Sequence, residues 1–172
     1  MQNSSSPFPT PSIPRRLICM VYETLLLLAV EMGMVLVYLL ATRNVHTPML
    51  DHGRNALVFL VAAVYFIHFW TDSGHTLAMK TWRIKLVKPG LARLPFRVAA
   101  LRYFLAWGWF LPALLVCHQF GLKDKAEVGT ALAVGMAVWA MTAWLDKDRQ
   151  FLHDRLAGTR LICLPKPEKT SR

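Results

Sequence analysis

Two acids sit where a hydrocarbon slab makes charge costly. Glu23 and Glu31 lie inside the apolar run 17–40, and Arg102 lies about one turn into another, 98–117. An ionised side chain at bilayer depth costs about 2.5–3.5 kcal/mol on insertion scales, so such residues face protein or water and take a partner. The chemistry on offer is binding of a proton or small cation at Glu23, with Arg102 as counter-charge, so that occupancy switches the charge of the site. The competing reading is structural: Glu23 and Arg102 neutralise each other and lock helix packing, or Glu23 stays protonated and hydrogen-bonds across helices. Arg16 precedes Glu23 by seven residues and shares its helical face, which therefore runs from an edge cation to a buried acid. Glu31, eight residues beyond Glu23 and rotated by about 80°, is a weaker ion- or proton-binding candidate, because no basic residue sits at its depth.

Other chemistries find no foothold. There is no HExxH, GxSxG, SxxK or Gly-rich phosphate loop. The six histidines, at 46, 52, 68, 75, 118 and 153, show no ligand spacing, and Cys19, Cys117 and Cys163 form neither a CxxC pair nor a Cys/His set. Neither an enzyme, a metal site nor a cofactor is expected.

The elements that must hold these charges are membrane spans. Over 172 residues, 55% are hydrophobic and 17% charged, and the mean hydropathy is +0.36, which excludes disorder and argues against a soluble domain. A span needs about 20 apolar residues. Four stretches approach that length: 17–40, 56–70, 98–117 and 128–145. The second is short and must borrow length from its flanks or sit where the bilayer thins. The first is too long for a signal peptide, carries two acids and ends at Ala41-Thr42-Arg43 without a cleavage pattern, so it reads as retained.

Charge then orients the bundle. With four spans drawn, fifteen Lys and Arg fall on the side of both termini and the 71–97 loop, against four on the other side. That places both termini in the cytoplasm and accounts for the net charge of +10 without a nucleic-acid partner. Segments 1–14 and 165–172, rich in Ser and Pro or polar, read as mobile tails around a membrane domain at 15–164. Residues 82–87 alternate apolar and basic types and 159–164 favour strand. They either pair as a two-stranded ribbon on the cytoplasmic face or lie separately at the lipid interface.

Several blocks together resemble the RDD family of bacterial membrane proteins: Arg15-Arg16-Leu17 opening a span with an acid at Glu23; Gly74-His75-Thr76-Leu77-Ala78-Met79-Lys80; Arg102; and Arg149 through Thr159, of which Leu152–Thr159 is the most specific. The family is named for an arginine and two aspartates, and the matching positions are Arg16 or Arg15, then Glu23 and Asp154. Glu23 departs from the pattern by one methylene, and Ala78 stands where a second glycine is usual. Some members have been linked to sodium/proton antiport, so the resemblance implies a cation/proton transporter or transport subunit of the bacterial inner membrane, assembled as a homo-oligomer because four spans enclose a pathway only narrowly. The alternative is a non-catalytic module that assembles with envelope proteins or meets anionic head groups through its basic cap.

Residues 146–159 read as an amphipathic helix continuing from the fourth span, with Arg149 and His153 on one face, Phe151 and Leu152 toward lipid and Gly158 as its stop. Asp154 then lies level with Arg16 and Lys80, and an edge cluster is expected in which it bridges one of them. His153 and Asp154, as helix neighbours, are expected to point apart. The fold expected is an all-α integral membrane protein, a four-transmembrane-helix bundle with a small basic cytoplasmic cap.

Overall fold

The structure is a computed structural model that describes residues 8–146 and 149–165, with the side chain of Leu145 excepted. It is a helical bundle with four segments long and apolar enough to cross a membrane: Ile13–Ala41, Pro48–Asp72, Phe96–Phe120 and Lys125–Trp144. The expected all-α membrane fold is therefore present.

The first span is α1 (Ile13–Ala41), which starts with Pro at its N-terminus and ends where Arg43 and Asn44 take left-handed backbone angles. A short turn leads to α2 (Pro48–Asp72), where Thr47 caps by accepting from the Leu50 amide and Asp51 sits in the first turn, at the positive end of the helix dipole. At 25 residues, α2 takes the length it needs from both flanks of the 56–70 run. The third span is broken: α4 (Phe96–Ala106) passes through a 3₁₀ turn, Trp107–Trp109, into α5 (Leu111–Phe120), where Pro112 denies the backbone an amide donor. Gly121, in the left-handed region, ends α5, and Asp124 caps α6 (Lys125–Met141). The α5 and α6 backbones approach closely, since a Cβ on Gly135 would lie 3.2 Å from the Ala113 Cβ. Small residues at such crossings are how helices pack without a hydrophobic drive in lipid.

The remaining elements cap one end of the bundle. They are α3 (Leu77–Thr81), β1 (Ile84–Val87), α7 (Leu152–Leu156) and β2 (Arg160–Cys163). The two strands pair antiparallel with Ile84 opposite Cys163 and Val87 opposite Arg160, so the ribbon forms. Gly74 is required beneath it: its φ is +78°, and a Cβ there would meet the Leu86 carbonyl oxygen at 2.8 Å. Within the stretch read as an N-terminal tail, the Pro9 carbonyl accepts from the Cys163 amide and α1 already begins at Ile13. Residues 1–7, 147, 148 and 166–172, which include the rest of both expected tails, lie outside the described residues.

Burial is concentrated in the cap. Trp70, Ala78, Met79, Ile84, Leu86, Ala99, Tyr103 and Leu161 share one apolar cluster there, whereas none of the most apolar stretch of α1 is buried. A lipid-facing surface accounts for that contrast.

The helix expected to continue from the fourth span is not continuous. After the 3₁₀ turn Thr142–Leu145 the chain extends at Asp146, and Arg149 adopts φ +53° before the five-residue α7. Asp146 fastens this break by accepting the Arg149 amide through its carbonyl and the Gln150 amide through its carboxylate. Phe151, expected toward lipid, is 2% exposed. Gly158, at φ +64°, does end α7.

Candidate functional site

The broken segment 146–159 turns Asp154 inward rather than along the surface. Asp154 is fully buried and accepts from Arg102, Nε to Oδ1 at 2.7 Å, so the partner expected for Glu23 belongs to Asp154 instead. Depth explains the exchange. Both helices start at the capped end, and Glu23 is ten residues past Ile13 while Arg102 is six past Phe96, about 15 Å against about 9 Å of helix rise.

The pair is surrounded. Arg102 lies over the Trp70 ring at 4.2 Å, and Thr159 donates to Asp154 Oδ1 at 3.3 Å. Oδ2 lies 3.5 Å from His153 Nε2, so the two neighbours converge rather than point apart, α7 being one short turn wedged against α4. The Trp109 indole donates to His153 Nδ1 at 3.2 Å, with the Trp139 indole at 3.5 Å. An Nδ1 that accepts leaves the ring proton on Nε2 and the imidazole neutral. Burial pushes the His153 pKa down to about 4, with Arg102 and Arg16 adding to the effect and Asp154 opposing it. Burial alone would raise Asp154, but Arg102, His153 and Arg16 together hold its carboxyl below the usual range.

Arg16 joins from α1. Only 2% exposed, its guanidinium sits over the Phe151 ring at 4.6 Å and donates Nη2 to the Arg149 carbonyl at 2.5 Å. It makes no direct salt bridge to Asp154. Arg149 contributes its carbonyl while its side chain is exposed, and Lys80, exposed on α3, forms no salt bridge with Asp154. The expected bridge from Asp154 to Arg16 or Lys80 is therefore not formed: Asp154 pairs with Arg102, and Arg16 acts on it only through space.

Glu23 has its own set of partners. Tyr65 donates to Oε1 at 2.6 Å, and Thr76 donates to Oε2 while its hydroxyl also accepts the Met79 amide at the start of α3. Glu23 is 8% exposed, and both of its oxygens are held by hydroxyls, with no cation bonded among the described residues. Glu31, half-buried, makes no hydrogen bond or ion pair among the described residues. Tyr65, Thr76, Trp70, Trp109 and Phe151 are site residues that spacing did not single out. Thr76 and Phe151 carried a signal, inside the Gly74–Lys80 and Arg149–Thr159 blocks.

A cavity of 380 Å³ joins the parts. Arg16, Glu23 and Glu31 of α1 line one side, and Arg102, Trp107 and Phe110 line the other, with His153 at the capped end. Asp154 is one bond behind that wall, through Arg102. Among the described residues, no group of His, Cys, Asp and Glu has the makings of a metal site.

A bundle with four candidate spans, a ribbon cap and a buried Arg–Asp pair beside an acid-lined cavity defines a multi-pass membrane protein. Residues 10–158 match the RDD family, and the chain belongs to it. No curated protein and no solved structure matches the chain.

Proposed function

We propose that this chain exchanges a small cation for protons, as a transporter or transport subunit of a bacterial inner membrane, with both termini cytoplasmic as its distribution of Lys and Arg favours. The observation that carries this reading is that Glu23 and Glu31, the two acids within the first span, line one cavity and have no cation bonded to either. A carboxylate free of a fixed counter-ion can take a proton or a cation in turn, whereas one locked to arginine cannot. Tyr65 and Thr76 orient Glu23 for that exchange, since hydroxyls donate to the ionised form and can rotate to accept from the protonated one. Glu31, eight residues or about 12 Å further along α1, supplies a second station. The Arg102–Asp154 pair is a rigid end wall and gate post. No covalent chemistry or cofactor enters this reading.

The test is cation-driven proton flux with purified protein in sealed liposomes loaded with a pH dye. Wild-type protein is expected to show sodium- or potassium-dependent dye recovery, and Glu23→Gln to lose it while remaining monodisperse and inserted. Silence of the wild type across cations and pH overturns the reading.

The second reading is a membrane assembly or lipid-interaction module. The uncovered apolar face of α1 favours it, because α1 packs on α2 and α3 and leaves Leu25, Leu36, Val37 and Leu40 exposed. A second copy, an envelope protein or lipid covers that face, and the basic cap suits anionic head groups.

A further inference from the structure

The cavity has a ligand's proportions as well as an ion's. At 380 Å³ it falls in the range of small-molecule sites. Most of the wall is apolar: Met20 and Leu27 of α1 face Phe66, Phe110 and Met136 across it. Polarity is gathered at the capped end, with Arg16, Arg102, Glu23 and His153.

Those polar groups differ in what they have left to offer. Arg102 gives its Nε to Asp154, both Glu23 oxygens hold hydroxyls, and His153 Nδ1 holds the Trp109 indole. Arg16 differs in having unused donors that are themselves buried. Its Nε and Nη1 are buried with no hydrogen-bond partner among the described residues, although the side chain is almost wholly enclosed. A guanidinium offers five donors in a fork that matches a carboxylate, and leaving buried charged donors unused is costly.

We infer that the cavity binds one long-chain carboxylate, a fatty-acid anion drawn from the surrounding leaflet, with its head group on Arg16 and its chain along Leu27, Phe66, Phe110 and Met136. Binding parts the Arg16 guanidinium from the Phe151 ring and gives its idle donors an acceptor. The chain covers Glu23 and Glu31, which makes the ligand a plug for any traffic through the cavity. This site goes beyond the exchange reading and stands without it.

Trp70, Trp107 and Trp109 line the cavity and report on it. The experiment titrates dibromostearate, and separately its methyl ester, into purified protein in neutral detergent micelles at a pH that ionises the acid, and follows tryptophan fluorescence. Saturable quenching by the acid is expected, with the ester about tenfold weaker for want of the charge on Arg16. Ala106→Phe and Thr24→Phe, which fill the cavity from opposite walls, should abolish the saturable phase in samples that keep wild-type circular dichroism. Comparing acid with ester tests the head group on wild-type protein, so nothing depends on an Arg16 variant that also loses its bond to Arg149. Linear quenching without saturation, equal saturation by the ester, or unchanged saturation in both filled variants overturns the inference. None of these readouts uses ion flux, so they are independent of whether the protein exchanges cations.

Discussion

Asp154 and Glu23 are both buried carboxylates, yet they are held in opposite ways. Asp154 is bonded to a guanidinium, faced by a neutral imidazole and supported by a threonine hydroxyl, on a chain segment fixed by Asp146 and Gln150. Glu23 sits on a regular helix and meets only hydroxyls. Charge that is matched by fixed opposite charge is kept permanently, because removing either member strands the other. Charge that is matched by rotatable dipoles can be given up. The cap thus holds a carboxylate matched by fixed charge, and the first span holds one met by hydroxyls.

Breaking the matched pair should have the largest effect. Asp154→Asn leaves the Arg102 guanidinium, 7% exposed, without its counter-charge, and loss of one partner of a buried pair costs about 3–5 kcal/mol. The expected outcome is a steep fall in yield and in melting temperature measured in detergent. Arg102→Met combined with Asp154→Leu should recover much of that loss, since replacing a buried pair by apolar groups is often near neutral. If Asp154→Asn alone melts like wild type, the distinction between the two carboxylates collapses.

The imidazole beside the pair gives the next largest effect, through pH. His153 has a pKa of about 4 when folded, against an ordinary 6.5, so between those values the unfolded chain binds the extra proton. Stability is therefore full above about pH 6.5 and declines as pH falls toward 4, by about 3 kcal/mol in all. Melting curves across that window should slope for wild type and flatten for His153→Gln. Asp154, whose folded pKa is lowered, contributes in the same direction but only at still lower pH, as its own folded-state proton goes on.

This contrast also marks what the sequence could reveal. The spans, the two strand segments and the Gly158 stop were legible because each is a local signal: an apolar run, an alternation or β-favouring run, a glycine after a short helix. Whether the strands pair stayed open, since pairing joins residues far apart in the chain. The second span's ends were not legible, because Thr47-Pro48 and Asp51 set its start by capping rather than by hydropathy. Glu23, Arg102 and Asp154 could each be picked out as costly charges, but their pairing could not. That depends on a difference of about one helical turn between two helices and on the break at Arg149, whose positive φ no residue type announces. Thr76 was hidden for a related reason: its hydroxyl serves the α3 start and Glu23 at once, and only the fold brings those two sites together.

The smallest effect on stability is expected at Glu23, where the comparison can be sharpened most. Gln keeps an acceptor for the Tyr65 hydroxyl and presents a donor to Thr76, whose own oxygen can turn to accept it. No charge is stranded, because none is bonded there. Glu23→Gln should therefore melt within about 1 kcal/mol of wild type, the scale of a single exchanged hydrogen bond. Tyr65→Phe, which removes one donor from a carboxylate that has two, should do likewise. A Glu23→Gln protein as unstable as Asp154→Asn would mean that Glu23 carries a fixed charge that the helix packing depends on, as Asp154 does. A stable Glu23→Gln leaves the acid free to change its protonation without the bundle coming apart, which is the physical condition that any carrier site within α1 has to meet.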